Sequence, residues 1–184
     1  MIRTVNAGRR GLLKKGVLGG AILVCGGSLS LWGRSGQDGP PPRARLTALT
    51  PHEYAIFAAA AARLAPGDGS SGWPTAASLD AAGKLDTLLA QLHPRAIKEF
   101  RQLLHVFENA LTGFLSAATP RTFTRSSPDA QDERLQAWRH SHVALFRSGY
   151  QAMKRLAHAI YYSSPEVYAR IGYAGPPVVP QGPA

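Results

Sequence analysis

Thr50-Pro51-His52-Glu53-Tyr54-Ala55-Ile56-Phe57-Ala58-Ala59-Ala60-Ala61-Ala62 is the stretch of this 184-residue chain that decides its fold. Threonine at the cap, proline at the first helical position and glutamate three residues after the cap form a capping box. The alanine run behind it is strongly helix-forming, and Pro66-Gly67-Asp68-Gly69 must end it, so the pattern predicts a helix over 51–64.

The same reading extends toward the C-terminus. Leu79, Ala82, Leu85, Leu88, Leu89 and Leu92 recur at three- and four-residue intervals and predict a second helix over about 78–91. Ile97, Phe100, Leu104, Phe107, Leu111 and Phe114 predict a third, from Pro94 to about Ala117. Ser127-Pro128-Asp129 repeats the cap, proline and early acid of a helix start. From there Leu135, Trp138, His142, Leu145, Gly149, Met153, Leu156 and Ile160 predict one long helix to about residue 161, with Gly149 placed either to kink it or to admit a neighbour. Ser164-Pro165-Glu166 caps a short last helix through about Arg170, after which glycines and prolines forbid regular structure. No alternating β-branched segment stands between turn residues. The fold class is therefore all-α: a compact single-domain bundle of about four main helices, a short C-terminal helix and an extended tail.

The net charge of +10 is concentrated at the front. Residues 1–45 hold eight Lys or Arg against Asp38, whereas the rest of the chain carries only +3, an ordinary surface that argues against nucleic-acid binding. Residues 1–33 read as a leader: basic from Arg3 to Lys15, then uncharged and apolar from Gly16 to Leu31. Within it, Gly8-Arg9-Arg10-Gly11-Leu12-Leu13-Lys14 resembles the twin-arginine export motif, with Arg9, Arg10, Leu12, Leu13 and Lys14 in place and Gly8 departing from it. At about 16 residues with five glycines, the apolar stretch is short for a span of about 20. Cleavage has only small-x-small candidates, Gly26-x-Ser28 and Ser28-x-Ser30, so the leader is either removed or kept as an anchor. Residues 34–45 read as a flexible linker, 46–177 as the helical domain and 178–184 as a disordered tail.

The only cysteine, Cys25, lies in the leader, which removes thiolate nucleophiles, thiolate metal sites and CxxCH haem attachment from the body. His105-x-x-Glu108 reverses the order used in di-iron bundles and stands alone, and the acids Asp129, Asp132 and Glu133 are those a helix dipole favours in a first turn. There is no phosphate loop and no nucleophile elbow. No catalytic, cofactor-binding or metal-binding residue is assigned to this chain. The tyrosines among the closing prolines, Tyr161, Tyr162, Tyr168 and Tyr173, suit either an interface or a core edge.

Leu46-Thr47-Ala48-Leu49-Thr50-Pro51-His52-Glu53, the Pro66-Gly67-Asp68 turn and the closing run from Tyr161-Tyr162-Ser163-Ser164-Pro165-Glu166 through Val167-Tyr168 to Ile171-Gly172-Tyr173-Ala174-Gly175-Pro176 together resemble the gluconate 2-dehydrogenase subunit 3 family. The resemblance covers about residues 46–177; its middle helices are generic, and the loop from Gly67 to Thr75 departs from the family pattern. It implies a small, non-catalytic gamma subunit paired with an FAD-containing large subunit of the glucose-methanol-choline type, in some complexes beside a multihaem cytochrome c subunit. It also implies that the small subunit carries the folded large one through the twin-arginine translocase to the periplasmic side of the inner membrane. Tyr162, Pro165, Tyr168 and Tyr173 are the expected partner contacts. Two other readings stand beside this one: a self-sufficient periplasmic ligand carrier or enzyme with a pocket near His105, Trp138 and His142, and a membrane-surface module anchored by its leader.

Overall fold

The computed structural model describes residues 41–109 and 121–176. The leader with its arginine pair, most of the linker, Leu111 and Phe114 of the predicted third helix, and the tail lie outside the described residues. Those that are described form six α-helices and no strand. They are α1 Pro51–Leu64, α2 Ala81–Leu89, α3 Pro94–Glu108, α4 Pro128–Arg139, α5 Ala144–Tyr162 and α6 Pro165–Tyr168, with one 3-10 turn at Ser70–Gly72.

The centre of the bundle is α1, which packs against α2, α3, α4 and α5. Ile56, Phe57, Ala60 and Ala61 are fully buried there, and Leu85, Leu104, Phe107, Trp138 and Met153 meet them from the surrounding helices. Each large apolar side chain so buried contributes about 1.5–3 kcal/mol. The predicted capping box forms: Glu53 N–H donates to Thr50 Oγ1 at 3.3 Å, and Thr50 N–H donates to Glu53 Oε2 at 2.8 Å.

The predicted long fourth helix is two helices. Continuous, it would set Trp138 and Phe146 about 12 Å apart along the axis. Instead the chain breaks at His140–Val143 and folds back, and the two rings stack with centroids 4.8 Å apart and planes 16° from parallel. Ser141 Oγ accepts from Val143 N–H, and its carbonyl accepts from the Arg147 guanidinium, so the turn is closed by its own polar groups. His142, expected inward, is exposed in this break, and Phe146 and Tyr150 occupy the core instead. Gly149 admits a neighbour: a Cβ there would stand 2.7 Å from Leu103 and 2.8 Å from Trp138.

Two other boundaries move. The third helix stops at Glu108, because Asn109 turns to an extended backbone. The loop that returns at 123–124 then holds both ends of Glu108: Phe123 N–H donates to its carbonyl at 3.2 Å and Thr124 N–H to its carboxylate at 3.0 Å. The second helix starts at Ala81 rather than Ser78, capped by Asp80 in a left-handed conformation (φ 49°) that accepts from Gly83 N–H. Beneath that loop, α4 carries a fully buried arginine: Arg134 donates to the Phe107 and Arg121 carbonyls and lies 5.9 Å above the Phe123 ring. Burial pushes the Arg134 pKa down, against the attraction of Glu108.

Candidate functional site

The three segments that carry the family resemblance are far apart in sequence, and the fold ties each of them into the bundle. The first is clasped by α2: Asp86, 4% exposed, accepts from the backbone N–H groups of Thr47, Ala48 and Leu49 at 2.7–2.9 Å. Arg43, assigned to the linker, donates to the Ala77 and Ser78 carbonyls. A cleft of about 230 Å³ lies between this strap and α2, lined by Arg43, Arg45, Tyr54, Asp80 and Lys84 among others. Burial, then the 2.7 Å bond to Asp80, pushes the Tyr54 phenol up to about 12.

The second and third segments touch. Gly67 has no room for a side chain, because a Cβ would lie 2.0 Å from the Pro74 carbonyl oxygen and 2.2 Å from the Tyr161 hydroxyl. That hydroxyl donates to the same Pro74 carbonyl at 2.9 Å. Tyr161, Val167 and Leu79 form a small buried cluster against Ala65 and Trp73. Ser164, predicted to cap α6, makes no cap bond; its hydroxyl donates to the Ile160 carbonyl and accepts from Lys84 Nζ at 2.8 Å, bracing α2 against the α5–α6 corner.

On the outside of this braced corner, neighbouring residues divide between core and surface. Tyr161 is fully buried, whereas Tyr162 is 40% exposed and packs its ring edge-to-face on Tyr161 and His158. Pro165 is exposed, Tyr168 half-buried and Tyr173 45% exposed. Tyr168 donates to the Ser163 carbonyl at 2.9 Å and meets Tyr173 edge-to-face with centroids 5.1 Å apart. The chain returns to make that contact through Gly172, whose φ of 68° suits glycine, and Tyr173 N–H closes it onto the Tyr168 carbonyl. All four expected contact residues thus sit on one short outer corner with exposed Ile171.

The histidine candidates do not converge. His105 bonds to Glu53 Oε1 at 2.9 Å, and Arg101 donates to the same oxygen at 2.8 Å. Glu53 is fully buried. Burial raises its carboxyl, but His105, Arg101 and the two Thr50 bonds outweigh that and hold it down at about 2. Glu108 faces the Thr124 loop, so His105 and Glu108 serve different contacts. Trp138 is sealed between Phe107 and Phe146 and His142 lies in the exposed break, so among the described residues His105, Trp138 and His142 keep separate surroundings. Among the described residues, no group of three His, Cys, Asp or Glu side chains is placed to hold a metal ion, and no helix is long and apolar enough to cross a membrane.

Sequence reasoning missed the residues that rigidify the corner, Gly67, Lys84 and the Tyr161 hydroxyl. Their partners lie 87 residues away for Tyr161 and 80 for Lys84, and nothing local signals them. Compared with known proteins, the chain matches the family model described as gluconate 2-dehydrogenase subunit 3 over residues 51–175. No curated protein and no solved structure matches.

Proposed function

From the premise that the chain belongs to the gluconate 2-dehydrogenase subunit 3 family, we propose that it is the non-catalytic small subunit of an FAD-dependent dehydrogenase complex and binds the flavoprotein large subunit through its C-terminal aromatic corner. The FAD and the catalytic groups belong to the large chain, and a multihaem cytochrome c subunit, where present, takes the electrons onward. The leader, read by its Arg9-Arg10 pair with Leu12, Leu13 and Lys14, directs the folded pair through the twin-arginine translocase to the periplasmic side.

The observation that carries this reading is the exposure of Tyr162 and Tyr173 on a corner whose other side is held by Tyr161, Gly67 and the Lys84–Ser164 bond. Large aromatic groups with a polar tip, presented by a rigid support, bind with little loss of side-chain freedom. The test is to purify the tagged full chain from its native host under mild conditions and record its absorbance spectrum. A flavin-bearing chain in stoichiometric amount supports the reading; a colourless lone chain overturns it. Replacing Arg9 and Arg10 by lysine should abolish export and leave folding intact, since a site that reads forked guanidinium groups need not accept a point charge. Normal export of the double variant would refute the leader's role.

A further inference from the structure

Helix α5 contains Arg147, Lys154, Arg155 and His158 and not one acid in its 19 residues. At about 100° per residue, Arg147, Gln151, Lys154, Arg155, His158 and Tyr162 all fall within an arc of about 100°. The opposite arc carries the buried Phe146, Gly149, Tyr150, Met153, Ala157, Ile160 and Tyr161. The outward face is thus a basic stripe that runs directly into the exposed Tyr162.

Among the described residues, no carboxylate pairs with it. Ion pairs elsewhere in the bundle join Arg63 to Asp132, Arg95 to Glu99, and Arg101 and His105 to Glu53. Arg147 reaches only the Ser141 carbonyl. Helix electrostatics do not account for the cations either, because Lys154 and Arg155 lie two turns before the end of α5, and its last turn holds no basic residue. Outside the described residues, the side chains of 110–120 and 177–184 carry no charge, and 1–40 hold Asp38 among six basic residues. A partner surface rich in carboxylates is the occupant whose charge complements this stripe. The stripe is polar and aromatic rather than apolar, with Gln151 exposed between the cations and Ser148 exposed beside them, which fits a protein surface better than insertion into a bilayer.

We propose that the outer face of α5 is a docking surface for a carboxylate-rich segment of the flavin-bearing large subunit, with Arg147, Lys154 and Arg155 meeting the acids and Tyr162 marking the junction with the aromatic corner. This rests on the small-subunit reading and adds the chemistry of the partner to it. Charge pairing at such a face sets orientation and rate of encounter, while the tyrosines supply buried area.

The test uses the complex purified from the native host with the full chain tagged. A zero-length carbodiimide couples an amine to a carboxylate in contact with it, and Lys154 is the only lysine on the stripe. Mass spectrometry should find Lys154 joined to an Asp or Glu of the flavin-bearing chain. The neutral variant Lys154→Gln/Arg155→Gln, which leaves the Arg147 turn bond in place and should keep the melting curve unchanged, should retain flavin about tenfold less well at moderate salt. Equal flavin retention by this variant overturns the docking face while leaving the small-subunit reading intact. A wild-type chain without flavin overturns that reading and this one with it. A link from Lys154 to Asp129 or Glu133 of a second copy, or loss of sedimentation with phosphatidylglycerol vesicles at full flavin retention, overturns the proposal in favour of self-association or a membrane surface.

Discussion

Thr50-Pro51-His52-Glu53 and Ser164-Pro165-Glu166 carry the same helix-start signature and are used in opposite ways. At the first, the glutamate turns inward. Thr50 and Glu53 cap each other, and the buried carboxylate then gathers Arg101 and His105 from α3, 48 and 52 residues away. At the second, the Ser164 hydroxyl leaves the cap to join Lys84 and Ile160, Glu166 is exposed, and the tyrosines around it divide between core and surface. One signature holds the bundle together; the other supports a surface. A helix-start motif fixes where a helix begins, and its tertiary partners fix what it is for.

The largest effect that would break this contrast is at Glu53. Glu53→Gln keeps the shape and removes the charge shared by Arg101 and His105. Because those partners are 41% and 38% exposed, the expected loss is about 2–4 kcal/mol, below the full cost of breaking a sealed pair. Urea unfolding measures it, and a loss under 0.5 kcal/mol, within the usual scatter of surface changes, would show that the hub contributes little. The wild type should show the matching acid dependence. Above about 4.5 the carboxylate is charged in both states and its contribution is whole; between there and about 2 the unfolded chain takes up a proton that the folded one refuses, and stability falls. Glu53→Gln should flatten that limb of the stability curve.

Next in size is Gly67→Ala, which drives a methyl into Pro74 and the Tyr161 hydroxyl and should cost about 1–3 kcal/mol by thermal melting. Ser164→Ala sharpens the comparison further. It removes the Lys84 bond without disturbing a cap, so about 1 kcal/mol is expected, with α6 content unchanged by circular dichroism. Smallest is Gly172→Ala: the positive φ makes it strained by about 1 kcal/mol, but nothing crowds the site. The change should loosen Tyr173 from Tyr168, read as altered tyrosine fluorescence, and leave the core's melting nearly unmoved.

How much of this was legible in the sequence depends on how local the cause was. The start of α1 was readable because Thr50, Pro51 and Glu53 act within one turn, and the same holds for Ser127 at α4, whose side chain accepts from Ala130 N–H. The break between α4 and α5 was not. His140, Ser141, His142 and Val143 include neither Gly nor Pro, and the cause is Trp138 and Phe146 finding each other across the turn. Likewise, Tyr161 and Tyr162 look alike in sequence, yet one step of about 100° around the helix puts one hydroxyl on Pro74 and turns the other ring toward solvent. The basic face of α5 left a trace that was readable, four cationic or titratable side chains and no acid, but it became a face only once the long helix was cut at residue 143.

The central claim is that the C-terminal corner serves a partner rather than the fold, and the double variant Tyr162→Ser/Tyr173→Ser tests it most directly. Purified from the native host beside the wild type, it should melt within about 2 °C of it, as expected for exposed side chains, and retain little or no flavin-bearing subunit. Full flavin retention at an unchanged melting temperature would contradict the account.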